Sequence, residues 1–138
     1  MRLIPRFYHG AADYLFGLFL LFAPSVLDFA RAGGAVIWVT RIVGLLILGQ
    51  AMMTDYELAL MRVIPIRVHL MTDYVVGLFL LASPWLFGFS AIRVPTIILT
   101  VVGLLVLGLT VMTQPGGGLG KVMAYPNCTP SRDWRAGA

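Results

Sequence analysis

Charge is the scarcest property of this sequence. Charged residues make up 12% of the 138 residues, about half the ~25% typical of a soluble domain. Their distribution is as telling as their number: no ionised side chain falls between Tyr14 and Leu27, or between Tyr74 and Ile92. Cysteine is nearly absent. Cys128 alone excludes an intrachain disulfide and a cysteine-based zinc site. Soluble-enzyme signatures are missing too, with no Walker loop, no GxSxG and no HExxH. Gly116-Gly117-Gly118-Leu119-Gly120 lacks the strand before it and the helix after it that a phosphate loop needs. The net charge of +4 comes from ten thinly spread basic residues. With no stacking aromatics on a solvated face, these do not form a nucleic-acid footprint.

What is present is apolar: 59% hydrophobic residues and a mean hydropathy of +0.91, the composition of a membrane protein. Arg2 and Arg6 followed by an apolar run resemble a signal peptide. The same pattern recurs in mid-chain, so a spanning helix is the expected reading.

That recurrence organises the whole chain. Met1 to Phe29 aligns without a gap on Met61 to Phe89 at an offset of 60, with fourteen of 29 positions identical. The shared positions include His9/His69, Asp13/Asp73, Tyr14/Tyr74, Gly17/Gly77 and Pro24/Pro84. Further on the offset is 59: Val43-Gly44-Leu45-Leu46 matches Val102-Gly103-Leu104-Leu105, and Gly49 matches Gly108. One two-helix unit is used twice.

The reading is an all-α integral membrane protein. Residues 1–60 hold helices over about Pro5–Leu27 and Ala35–Tyr56, residues 61–114 hold helices over about Pro65–Phe87 and Val94–Thr113, and residues 115–138 form a polar cytoplasmic tail. Each span approaches the ~20 residues needed to cross ~30 Å of hydrocarbon. Arg2, Arg6, Arg62, Arg67, Lys121, Arg132 and Arg135 lie on one side, against Arg31, Arg41 and Arg93 on the other. That bias predicts the inner membrane with both termini cytoplasmic. The repeats are then parallel, related by a pseudo-twofold axis along the membrane normal.

Ser83-Pro84-Trp85, set after Gly77-Leu78-Phe79-Leu80-Leu81-Ala82 and before Leu86-Phe87-Gly88-Phe89, resembles the SPW repeat family of small bacterial and archaeal membrane proteins. The resemblance covers about residues 5–113. Ala23-Pro24-Ser25 keeps the proline of the motif and loses its serine and tryptophan. The resemblance implies a four-helix membrane architecture and brings no activity with it. Pro84 cannot donate to the Leu80 carbonyl; Ser83 is close enough to help, and a kink or helix end is expected rather than a gating hinge.

The ionisable candidates are His9, Asp13, His69, Asp73 and Asp55. His9 and Asp13 are four apart and share a helix face, as do His69 and Asp73. The repeat axis can bring the two pairs together. Asp55, where the second helix reaches the cytoplasmic side, is expected to join them in an acidic cluster. Three readings compete. The aspartates pair with Arg6, Arg62 or Arg67 at the headgroup boundary. Alternatively His9 and His69 ligate a transition metal or a haem, or the pairs form a proton or ion path. A second stripe, Arg41, Gly44, Leu48, Ala51 and Asp55 with counterparts Thr100, Gly103, Leu107, Thr110 and Gln114, reads as helix packing. The scattered methionines read as packing or interface residues rather than a copper pathway.

The function expected is that of a non-enzymatic, cofactor-free small membrane protein in the lipid bilayer. It would be structural, or an accessory to a homo-oligomer or a partner membrane protein. The alternative is a small transporter, or a haem- or metal-binding protein using the His/Asp cluster.

Overall fold

Four helices follow from four apolar runs. In the computed structural model, which describes residues 4–55 and 58–113, they are α1 (Arg6–Val26), α2 (Gly34–Met53), α3 (Ile66–Leu86) and α4 (Arg93–Met112). At 20 or 21 residues each, they extend about 30 Å, the thickness of the hydrocarbon core. All four are long and apolar enough to cross a membrane. The described residues contain no strand, only two isolated bridges. The protein is an all-α four-helix membrane protein. Its large side chains point outward as readily as inward: Leu15, Val26, Trp38 and Trp85 are exposed, a pattern suited to lipid and costly in water. The tail from Gln114 onward and Tyr56 lie outside the described residues.

Proline sets both ends of the odd helices. Pro5 and Pro65 are extended caps, φ −61° and −60°, from which the helix starts one residue later. Pro24 and Pro84 lie inside α1 and α3, buried, and each helix stops two residues beyond them. The freed Leu80 carbonyl accepts a bond from Ser83 Oγ at 2.9 Å, so the serine supplies the donor that the proline removes. The turn then closes onto the proline carbonyl in both halves, one residue later in the first than in the second. Ala30 N–H donates to Pro24 O and Phe89 N–H to Pro84 O, two residues after Asp28 with φ 52° in the first half and directly after Gly88 with φ 71° in the second. Glycine adopts that conformation freely; aspartate is one of the few other residues that visits it.

α1 packs chiefly on α2 and α3 on α4. Glycine brings the backbones together. A Cβ on Gly44 would lie 2.8 Å from Gly17 O and from Leu21 N, and one on Gly103 would lie 2.9 Å from Gly77 O. Leu48 fills the notch over Gly17, and Leu107 the notch over Gly77. The stripe on the even helices is therefore a packing surface where Gly44, Leu48, Gly103 and Leu107 are concerned. The main apolar core, around Leu20, Val36, Val43, Leu80, Leu99 and Val102, occupies the proline half of the bundle.

α2 stops at Met53, short of the expected Tyr56. Thr54 turns extended, ψ 141°, and bridges to Ile64 just before α3. Thr113, after α4, bridges in the same way to Ile4 just before α1. The two junctions lie side by side at the end of the bundle where α1 and α3 begin.

Candidate functional site

His9 and Asp13 occupy the first two turns of α1, and His69 and Asp73 those of α3. All four are buried. The four-residue spacing puts each pair on one face, and both faces point between the hairpins. The pairs exchange partners. His9 Nε2 lies 3.0 Å from Asp73 Oδ2 and 3.4 Å from its own-helix Asp13 Oδ2. His69 Nε2 lies 3.0 Å from Asp13 Oδ2 and 3.3 Å from Asp73 Oδ2. The result is a closed ring of two imidazole nitrogens and two carboxylate oxygens, with one such atom from each residue all within 4.8 Å of one another. The imidazole planes meet edge to face, centroids 5.5 Å apart.

The outer nitrogens are held by two threonines. Thr54 Oγ1 donates to Gln50 O at 2.6 Å and meets His69 Nδ1 at 2.7 Å. Thr113 Oγ1 donates to Leu109 O at 2.6 Å and meets His9 Nδ1 at 2.8 Å. A hydroxyl has one proton. Spent on the carbonyl, it leaves the oxygen only as an acceptor towards the ring. Nδ1 of both histidines is therefore protonated and donates to threonine. The protons of the ring interior are shared between the Nε2 atoms and the aspartates, and a deprotonated Nε2 presents its lone pair inward. This arrangement can hold two imidazolium–aspartate pairs, or a single divalent cation in place of the inner protons. Each state has no net charge, which is what a site inside a membrane demands.

The surroundings are less even than the ring. Gln50 Nε2 donates to Asp73 Oδ1 at 2.9 Å and to His69 O at 3.2 Å. Its repeat counterpart is Leu109, which donates nothing. Tyr14 Oη donates to Leu58 O at 3.0 Å, tying α1 to the loop between α2 and α3.

Two expectations need correction. Asp55 does not join the cluster: with α2 ended at Met53, it swings out to solvent and faces Arg62 Nε at 3.7 Å, both side chains largely exposed. Nor do arginines neutralise Asp13 and Asp73; the histidines of the opposite hairpin do. Pro24, Ser83, Pro84 and Trp85 belong to the other end of the helices and touch none of the four. Gln50, Thr54 and Thr113 were not anticipated. The signal for the threonines was present, since Met53-Thr54 and Met112-Thr113 repeat at the same offset of 59 as the rest of the even helices.

No characterised protein and no solved structure matches the chain. The SPW repeat domain model matches residues 7–113, which takes in all four helices and every residue of the ring, and the chain is a member of the SPW repeat family.

Proposed function

We propose that this is a metal-binding membrane protein in which His9, Asp13, His69 and Asp73 hold one divalent first-row transition ion between the two hairpins. The observation that carries this reading is the size of the ring. Its four N–O separations run from 3.0 to 3.4 Å. An ion with bonds of about 2.0–2.2 Å sets neighbouring ligand atoms about 3.3–3.6 Å apart when four-coordinate, and about 2.8–3.1 Å apart across the right angles of a five-coordinate site. The donor set supports the class of ion. Two imidazoles with two carboxylates suit Zn²⁺, Fe²⁺, Co²⁺ or Mn²⁺, whereas Ca²⁺ and Mg²⁺ prefer all-oxygen sites and Cu(I) prefers sulfur. Thr54 and Thr113 supply the contact to the outer ring nitrogen that orients a ligating histidine. Haem fits poorly, because two carboxylate oxygens fill the space between the imidazoles where the macrocycle would have to lie.

The ion binds in the protein's membrane interior and does no chemistry on a substrate in this reading. The Lys/Arg bias supports the inner membrane with the ring towards the cytoplasmic side and both termini there. The test is elemental analysis of the full chain purified in mild detergent, followed by titration with Co²⁺ and Zn²⁺. One ion per chain, lost in the His9→Ala plus His69→Ala variant, is the expected result. A protein that takes up neither ion overturns the reading and leaves the ring as an ion-pair clamp in an assembly component.

A further inference from the structure

The two aspartates sit in different surroundings. Asp73 is held at both oxygens: Oδ2 faces His9 and His69, and Oδ1 accepts from Gln50. Asp13 Oδ2 faces His69 and His9 in the same way. Its Oδ1, however, accepts no hydrogen bond from any described residue. The position that would supply the donor by repeat equivalence is occupied by Leu109.

We propose that Gln50 makes the site asymmetric: Asp73 is fixed as a one-oxygen ligand, and Asp13 is the ligand whose second oxygen completes the coordination of the ion. This rests on the divalent-ion reading above. A bond from Gln50 to Oδ1 holds the Asp73 carboxylate plane and keeps that oxygen off the ion. No described residue competes for Asp13 Oδ1, which leaves it open to the cation. The donor set is then two nitrogens and three oxygens. Gln50 touches no ion itself; it is a positioning residue acting through Asp73. Its second bond, to the His69 carbonyl, ties it to the turn that carries the histidine, so one side chain sets two of the four ligands.

The probe is Co²⁺, whose visible bands strengthen as coordination falls from five to four. The full chain in mild detergent is titrated with Co²⁺ for wild type, Gln50→Leu, Gln50→Met and Leu109→Gln. Gln50→Leu copies the residue already found at the equivalent position, and Gln50→Met keeps the volume, so neither buries a new polar group. Both are expected to keep one ion per chain, to lose about 10- to 100-fold in affinity, the usual effect of removing an outer-shell partner, and to weaken the visible bands as Asp73 gains freedom to add its second oxygen. Leu109→Gln is expected to do the reverse, giving stronger, four-coordinate bands as Asp13 Oδ1 is taken up. Unchanged affinity and unchanged bands in both Gln50 variants overturn the inference and leave the metal site standing. Weaker binding with unchanged bands overturns it as well, reducing Gln50 to a part of the fold. A wild-type chain that takes up no Co²⁺ overturns both readings.

Discussion

The two hairpins agree at one end of the bundle and diverge at the other. Where α1 and α3 begin, the ring residues and their threonines are matched: His9 with His69, Asp13 with Asp73, and Thr54 with Thr113 in the same hydrogen bonds. Where α1 and α3 end, the halves differ. The second half has Ser83-Pro84-Trp85 over Thr100. The first has Ala23-Pro24-Ser25 over Arg41, with Arg41 donating to Ser25 Oγ at 2.9 Å. The difference follows from what each end touches. The matched residues face the opposite hairpin, so a change in one half leaves a buried partner in the other unsatisfied. Ser25, Trp85 and Arg41 face outward, where lipid or headgroups accept many shapes. Sequence likeness between the halves is complete in the ring, while the family motif is split, with Ser83 and Pro84 buried and Trp85 facing outward.

The sharpest way to break that match is to remove one aspartate. Deleting one partner of a buried ion pair costs about 3–5 kcal/mol, because the remaining charge is stranded. Asp13→Ala and Asp73→Ala should both fall in that range when unfolding is followed in detergent. They should not be equal. Asp73→Ala also strands the Gln50 amide, and one interhelical bond in a membrane is worth about 0.6 kcal/mol and up to about 1.7 kcal/mol. A larger loss for Asp13→Ala than for Asp73→Ala would mean that the Gln50 contact is of no consequence.

The glycine contacts give the next largest effect. Gly44→Ala sets a methyl against the Gly17 and Leu21 backbones at 2.8 Å, and neither can move without parting the helices. Overpacking of this kind costs about 1–3 kcal/mol, and Gly103→Ala should behave alike. Gly17→Ala meets the Leu48 side chain at 2.6 Å and the Gly44 carbonyl oxygen at 3.0 Å; the leucine can turn aside and the carbonyl need give only slightly, so its cost should be smaller. Equal losses at Gly17 and Gly44 in a thermal unfolding series would show that Leu48 and the Gly44 carbonyl do not give way.

These contacts also show how far the sequence could be read. The four helices were legible because length and apolarity suffice to predict a span, and the repeat made each half a check on the other. The convergence of the two His–Asp pairs was legible from the repeat axis. Their exchange of partners was not, since i, i+4 spacing reports a shared face and says nothing about which neighbour lies closer across it. Asp55 was misplaced because the register was carried past Met53 as if α2 continued. One extended residue, Thr54, rotates everything after it off the helical face. That same residue supplies the hydroxyl on His69, so the signal that ends the helix and the one that orients the histidine are one side chain. Gln50 leaves no mark in the repeat, because Leu109 stands at the equivalent position and its importance lies in that disagreement.

The threonines sharpen the comparison within the ring. Thr54→Val and Thr113→Val keep shape and remove the acceptor for an Nδ1–H. Each should cost about 0.6–1.7 kcal/mol and weaken Co²⁺ binding about 10- to 100-fold. The two should match closely, since the bonds are 2.7 and 2.8 Å. A wide difference between them would mean that one junction, Thr54 with Ile64 or Thr113 with Ile4, is held by something other than its bridge.

The smallest effect belongs to the divergent end, and it tests the claim that divergence there is tolerated. Ser25→Ala removes the acceptor for Arg41 at an exposed position, and exposed substitutions away from special features stay within about 0.5 kcal/mol. Stability and Co²⁺ affinity should both be unchanged within that margin. Ser83→Ala, at the equivalent turn of the other half, differs in kind, because the hydroxyl it removes is buried and serves the Leu80 carbonyl that Pro84 leaves open. Leu20 occupies the same position below Pro24, where Ala23 offers no hydroxyl, so the first half already shows that the turn forms without one. Ser83→Ala should therefore cost no more than a single bond, about 0.6 kcal/mol, and leave the ring untouched. A loss of Co²⁺ binding in Ser83→Ala would couple the proline end to the ring along α3 and end the view of the two as independent.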